Sequence, residues 1–387
     1  MITVKELIYD SSCRAKVAQG LAILVVFGTG YYLYSNIVNN LQQMDLPFGF
    51  GFFGSTAGFD IGWSIIPYDP SMTYGRVYLV GILNTLILSI LIIFFSTLLG
   101  FIIGIMRLSH NLVVAQLARW YVEFVRNVPQ LIQIIFWFVV VFSTLPGPRQ
   151  GYGFLNSFFL NNRGFYLPAP VFEEGFSWTL MAIIVASIGS FFLRKWSRNY
   201  RRQSGQHKAA YRPTLFVLVI LVGVVFVATG EPLHWTVPAL QGFNFQGGFY
   251  FPIAFMAAFI SMTIYHSAPI AEMVRAGIQS IDSGQREAAI AIGFPPFKTL
   301  RLVVIPQAAR AILPPMINTW LTTVKDSSLA VAVGFPELVS VYMQTSLNQT
   351  GRAIEIVIMV MGFYMITSLL ISFLLNLYNR KIQLKGG

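Results

Sequence analysis

The chain has 387 residues, 55% hydrophobic and only 11% charged, where a water-soluble domain carries about 25% charged residues. Lipid is therefore the natural solvent of most of it, and a soluble enzyme or scaffold is excluded. The net charge of +11 would suit nucleic acid if it formed one basic face, but its distribution along the chain follows membrane topology instead.

The first apolar run, about 17–38, follows Lys5, Arg14 and Lys16 and ends in "YYLYSNIVNN" with no small-residue cleavage site. It reads as an uncleaved anchor helix rather than a signal peptide. The next stretch, "PFGFGFFGSTAGFDIGWSIIPYDPS", is rich in glycine and aromatic residues and reads as an ordered interfacial cap. Further spans are expected at about 78–106, 128–145, 177–193, 214–230, 250–271 and 354–378, each near the ~20 apolar residues that cross a ~30 Å hydrocarbon layer. A less apolar one at about 307–325 is interrupted by Pro314-Pro315, which neighbouring helices must compensate. About eight spans result. The expected domains are an anchor and interfacial segment, 1–76, and a main domain, 77–380. The latter has core spans at about 78–145 and 250–378 and two extra spans inserted at about 177–230.

Orientation follows from lysine and arginine in the short loops. The loop 194–213 holds Arg194, Lys195, Arg198, Arg201, Arg202, Lys208 and Arg212 and no acid, so it is cytoplasmic. Arg107, Arg119, Arg275, Arg286, Lys298, Arg301 and the tail "NRKIQLKGG" then fall on the same side, as do both termini. The segment 39–77, with three aspartates against one arginine, and 231–249, with Glu231, fall outside. The loop 146–176, with "LPGPRQGYG" and "LNNRGFYLPAPVFEEG", is outside too, and its prolines and aromatics predict order.

Chemistry-bearing clusters are few. One cysteine, Cys13, permits no internal disulfide, and His110, His207, His234 and His266 stand at no metal-ligand spacing and read as loop or interfacial residues. No Gly-Lys dipeptide occurs, hence no phosphate-cradling GxxxxGK[ST] loop. Lys325-Asp326 beside Ser327 and Ser328 offers a cation, an anion and two hydroxyls. That set suits a zwitterion, or else the two charges pair locally or merely end the helix at headgroup level. Glu123 and Arg126 are helix-face neighbours ahead of Pro129, placed to line an inner mouth or to pair as an anchor. Gln130 and Gln133 lie deeper and suit interhelical hydrogen bonds. Trp120, Trp137, Trp178, Trp196, Trp235 and Trp320 mostly fall near span ends, as in aromatic belts.

The most informative stretch is "REAAIAIGFPPFKTLRLVVIP", 286–306. Asp282 with Gln285 is a capping-box pattern, Ala288, Ala289 and Ala291 are strong helix formers, Gly293 suits a left-handed cap, and Pro295-Pro296 stop the helix. About three turns of small-faced helix should stand on the cytoplasmic side. They form either a peg for a partner's pocket or a helix lying on headgroups.

These residues resemble the EAA loop of bacterial ABC-transporter permeases: Glu287, Ala288 and Ala289, then Gly293, then Val303, Ile305 and Pro306 in the closing Ile-x-Leu-Pro pattern. The flanking "PQAARAILPPMINTWLTTVKDSSLA" and the stretch from "GILNTLILSILIIFFSTLLG" to "YVEFVRNVPQLIQ" resemble the polar-amino-acid importers. The outer segments 58–70 and 159–172 resemble the Q-type permease subunits of general L-amino-acid importers, so that the likeness covers about residues 40–380. The resemblance implies an all-α integral membrane protein with a type I importer core and a cytoplasmic coupling helix at about 282–296. It also implies a bacterial inner-membrane location and alternating access driven from outside the chain. The partners implied are a second homologous permease chain, two ATP-binding subunits that hold ATP and Mg, and a periplasmic amino-acid-binding protein. This chain itself would bind no cofactor. The competing reading is an ion-coupled secondary amino-acid carrier, which would call for intramembrane acids or paired broken helices.

Overall fold

The computed structural model describes residues 11–43, 49–204 and 211–383. Lys5, Asp45, His207, Lys208 and the last residues of the tail lie outside that set. The main helices are α1 (Ser11–Gln43), α2 (Tyr74–Met106), α3 (Leu112–Asn127), α4 (Gln130–Phe136), α5 (Phe176–Ser204) and α6 (Tyr211–Ala228). They continue with α7 (Ile253–Gln279), α8 (Ser283–Ala291), α9 (Ile305–Asp326) and α10 (Ala353–Gln383). Short strands lie between α4 and α7: β1 (Tyr152–Phe154), β2 (Phe158–Asn161), β3 (Gly164–Leu167), β4 (Ala169–Phe172), β5 (Leu233–Thr236), β6 (Ala239–Gln241), β7 (Asn244–Gln246) and β8 (Phe249–Pro252). The fold is helical, as expected, with a strand cluster that the apolar periodicity did not signal.

Six described helical segments are long and apolar enough to cross a membrane, and a seventh arises if α3 and the run Gln130–Phe142 are one bent span. The expected span 128–145 thus starts later, because Val128 is extended at the break before Pro129. A residue preceding proline is pushed out of the helical region. The expected span 214–230 is α6, Tyr211–Ala228, apolar from Leu215 onward. The expected interruption at Pro314-Pro315 does not occur, since α9 runs through both prolines. The irregularity lies ahead of Pro306 instead, where Leu300–Val304 is a π-helix and the Ile305 N–H reaches back to Leu300 O. Pro306 has no N–H and its ring crowds the carbonyl four residues earlier; widening the preceding turn accommodates both.

Two compact units divide the chain: residues 1–129 with 262–387, and residues 130–261. In the first, helices approach through absent side chains. A Cβ on Gly100 would lie 2.6 Å from Ile270 Cγ2 and 2.9 Å from Ser267 O, and one on Gly104 would lie 2.8 Å from Ala271 O. This small-xxx-small stripe on α2 lets α7 come close where lipid supplies no hydrophobic drive. Gly277 makes the same allowance for Ile312 of α9. The interfacial cap is ordered, as expected: Phe52, Ala57 and Ile61 share a buried cluster with Val77, Leu338 and Tyr342. Arg352 donates to Gly49 O at 2.6 Å, and Asn84 donates to Trp63 O and Pro336 O at 3.1 and 2.8 Å. Trp320 departs from the belt expectation and donates to Thr97 Oγ1 at 3.0 Å.

In the second unit β1, β2, β3 and β8 form an antiparallel sheet in that order, and β4–β5 and β6–β7 are separate pairs. Aromatic rings knit it together, with Phe159 stacked on Phe245 at 4.4 Å and Tyr166 on Tyr250 at 5.5 Å. The β4–β5 pair joins the chain entering α5 to the chain leaving α6. The 29 residues of α5 span about 43 Å at 1.5 Å per residue. The strand end of α5 and its basic end, from Arg194 onward, therefore face opposite ways.

Candidate functional site

The expected peg is present as α8, nine residues closed at both ends. Asp282 Oδ1 accepts the Gly284 N–H at 2.7 Å. The capping box is only half made, because Gln285 does not turn back and its Oε1 accepts from Gln307 Nε2 at 3.4 Å. That contact ties the start of α8 to the first turn of α9. At the other end Gly293 has φ +85°, Gly293 N–H bonds Ile290 O at 2.8 Å and Phe294 N–H bonds Ala289 O at 3.0 Å. The pair is a Schellman closure, which needs a left-handed residue and so favours glycine.

Ala289 is buried against the chain, whereas Glu287, Ala288, Gly293 and Pro306 are exposed. Ile290, Ile292 and Phe297 are exposed as well, at 60%, 72% and 70%. The outward surface of the peg is thus polar over residues 282–287, with Glu287 at mid-helix, and apolar from Ile290 onward. Behind it lies a cleft of about 1040 Å³ lined by Met106, His110, Ile278, Arg286 and Leu300. The root of the peg is fastened: Glu272 on α7 bonds Arg107 at the end of α2 and Arg275 one turn on, with Arg275 Nε at 3.2 Å. Charge-assisted bonds thus tie α7 to the end of α2, and the neutral Gln307–Gln285 contact ties α8 to α9.

The other candidate residues lie apart from the peg in sequence and differ from one another. Asp326 does not pair with Lys325; its Oδ2 faces His266 Nε2 at 3.6 Å. His266, expected at an interface, is buried within α7. Lys325 is exposed, and the Ser327 and Ser328 hydroxyls donate to Val324 O and Lys325 O at 2.7 and 2.8 Å. Glu123 and Arg126 share an exposed face of α3 with no ion pair between them, and Gln130 and Gln133 are buried.

The comparisons with known proteins decide among the readings. The family described as "Binding-protein-dependent transport system inner membrane component" matches residues 209–384. The amino-acid ABC transporter permease protein YhdX of Escherichia coli K12 is 44% identical over 97% of this chain and 95% of its own length. The chain belongs to the binding-protein-dependent ABC transporter permeases. The general L-amino acid transport system permease protein AapQ of Rhizobium johnstonii is 40% identical over 98% of this permease and 95% of its own length. The shorter glutamine transport system permease protein GlnP of Escherichia coli K12 is 38% identical, with 94% of it matched over 56% of this permease.

Family membership sets aside the ion-coupled carrier and makes the permease a transport component. It also gives weight to residues that sequence reasoning passed over. Glu272 and His266 stand inside an apolar span of the permease, the position in which an ionisable residue is a functional suspect by default. Glu337, fully buried, accepts from the Val339 and Ser340 N–H groups at 2.8 and 2.7 Å and starts the π-helix Val339–Ser346. Its signal was a lone acid between two apolar runs, in "GFPEL".

Proposed function

We propose that the chain is one transmembrane subunit of an ATP-driven importer of L-amino acids in the bacterial inner membrane, both termini cytoplasmic, fed by a periplasmic binding protein. A second, related permease chain would complete the pathway, and two separate ATP-binding subunits would hold ATP and Mg. The names carried by the full-length relatives support the amino-acid substrate. The match of a whole shorter permease to about half of this chain supports an importer core within 77–380 bearing inserted spans at about 177–230, after an anchor and cap at 1–76.

The observation that carries the reading is the doubly capped, outward-facing α8 whose root is ion-paired to α2. In use, closure of the ATP-binding subunits pushes the peg at Glu287 and Ala288, with Ala289, buried, seating it on the chain and Gly293 and Pro306 fixing its exit. The push rocks α2, α7 and α9 between outward- and inward-open states. On the amino-acid path we place Lys325, Asp326, Ser327 and Ser328, with Glu123 and Arg126 nearer the inner mouth. Asp326, facing His266, is the strongest of these.

The test is reconstitution of the complex in vesicles with Glu287→Lys in α8. ATP hydrolysis should persist while uptake is lost, with the chain still inserted. Normal ATP-driven uptake would remove α8 from the coupling role. Isolation of the complex should also yield a second permease chain and a nucleotide-binding subunit; a complex with neither overturns the assembly.

A further inference from the structure

Three turns of the 130–261 unit converge on one cleft. The loop Gly147–Gln150 precedes β1, Arg163 sits in the two-residue turn between β2 and β3, and Phe243 sits in the two-residue turn between β6 and β7. They are bonded to one another: Asn162 N–H donates to Pro146 O at 3.0 Å, and Arg149 Nη2 reaches Gly242 O at 3.4 Å. The Arg149 guanidinium lies 4.9 Å from the Phe243 ring centroid. The cleft measures about 220 Å³ and is lined by both arginines. No carboxylate pairs with either among the described residues. The acids of this unit gather elsewhere, Glu173 and Glu174 before α5 and Glu231 after α6, and Glu173 is engaged with His234 at 3.5 Å.

We propose that this cleft is a docking site for the substrate-delivering binding protein, holding one of its carboxylate side chains between Arg149 and Arg163 over Phe243. The proposal rests on the importer reading above and adds where the delivering protein lands. Guanidinium forks recognise carboxylates in bidentate fashion, and an aromatic face beneath one arginine holds it in place. A free amino acid is a weaker occupant, because the cleft is open and Phe243 is 75% exposed, so its carboxylate would compete with water and salt. A protein surface excludes that water. It would also cover Tyr152, Phe154 and Leu155, which stand 63%, 67% and 71% exposed on the neighbouring β1–β2 hairpin.

Arginine and aromatic residues grouped in this way are the usual anchors of protein interfaces. Leu155 is held at φ 53°, a left-handed conformation that costs a side chain such as leucine more than glycine or asparagine. The backbone thus pushes an apolar side chain outward at the hairpin tip. The strands stand at the end of α5 opposite its basic residues, hence on the outer side of the membrane, where a delivering protein arrives.

The assembled importer in nanodiscs of neutral phospholipid is titrated with the purified, substrate-loaded binding protein of the same system. Arg149→Glu with Arg163→Glu should weaken binding about tenfold or more, while Arg194→Glu at the opposite end of α5 leaves it unchanged. In an otherwise native chain, Phe243→p-benzoylphenylalanine should photo-cross-link to the binding protein, and Phe191→p-benzoylphenylalanine, on the apolar face of α5, should not. Unaltered affinity in the double variant, or no adduct from position 243, overturns the proposal. So does a loss of binding confined to nanodiscs containing anionic lipid, which would give the arginines to headgroups. If the double variant fails to assemble, the cross-link decides. A wild-type importer that binds no delivering protein sinks the underlying importer reading instead, and is told apart by the wild-type titration.

Discussion

The two units solve the same problem, order at the border of lipid, by different means. In the unit of residues 1–129 and 262–387, helices are drawn together by leaving side chains out, with Gly100 and Gly104 bringing backbone and branched side chains of α7 within what would be 3 Å of a Cβ. In the unit of residues 130–261, α5 and α6 meet more loosely, a Cβ on Gly189 standing 3.7 Å from Leu218. The apolar side chains of α5, Phe191 and Phe192 among them, remain exposed for lipid. Order there comes from strand pairing, which satisfies backbone groups without a membrane. The first construction packs helices backbone against side chain at close range. The second displays hairpin turns on a support.

The largest expected effect tests that contrast directly. Gly104→Leu must displace Val274 or the Ala271 carbonyl and should cost about 3 kcal/mol, seen as a lowered unfolding midpoint and aggregation in detergent. Gly189→Leu, which meets only ordinary contact, should cost less than about 1 kcal/mol. Equal losses at both positions would erase the distinction. Next comes the peg: Gly293→Val forces a β-branched residue to φ +85°, a local strain of about 1–3 kcal/mol. The closure of α8 should loosen and ATP-driven uptake fall about tenfold, with the unfolding midpoint of the whole chain hardly moved. A fall in uptake matched by global unfolding would make Gly293 structural only.

Glu272→Gln should act less strongly. Its partners are partly exposed, Arg107 at 13% and Arg275 at 28%, so the discounted cost is about 1 kcal/mol. The useful reading is ATP hydrolysis per amino acid imported, which should rise as α7 loosens from α2. An unchanged ratio would show that the peg transmits its motion without this ion cluster.

Much of this was legible because membrane solvation leaves a coarse signal. The span expected at 78–106 is α2 from Tyr74, and the one at 307–325 is α9, Ile305–Asp326. The α8 boundaries were readable because Asp282, Gly293 and Pro295-Pro296 each enforce a local conformation. Features that depend on distant neighbours were hidden. Gln285 has an obvious local partner in its own cap, yet it turns to Gln307, twenty-two residues away. Asp326 sits next to Lys325 in sequence but faces His266 from another helix. The strands were missed because β3 pairs with β8, eighty-eight residues along at Gly164↔Pro252, and runs such as "FFLN" are too short to show a period of two.

The smallest expected effect probes the contact between buried His266 and half-buried Asp326. Asp326 and His266 come from α9 and α7, helices that the push on α8 should move relative to each other, and 3.6 Å separates them. Asp326→Asn keeps the shape and removes the charge. Polar contacts between membrane helices average about 0.6 kcal/mol, so folding should be nearly untouched, and a shift of that size in substrate affinity is about threefold. If Asp326 lies on the path, the change should appear in the amino-acid concentration for half-maximal uptake, with basal ATP hydrolysis constant. If it only pins α9 to α7, His266→Gln should reproduce the Asn phenotype in full, and substrate dependence should stay flat in both. Unchanged uptake kinetics in Asp326→Asn would take the residue off the path and leave Lys325, exposed and without an ion pair among the described residues, as the charge there to examine next.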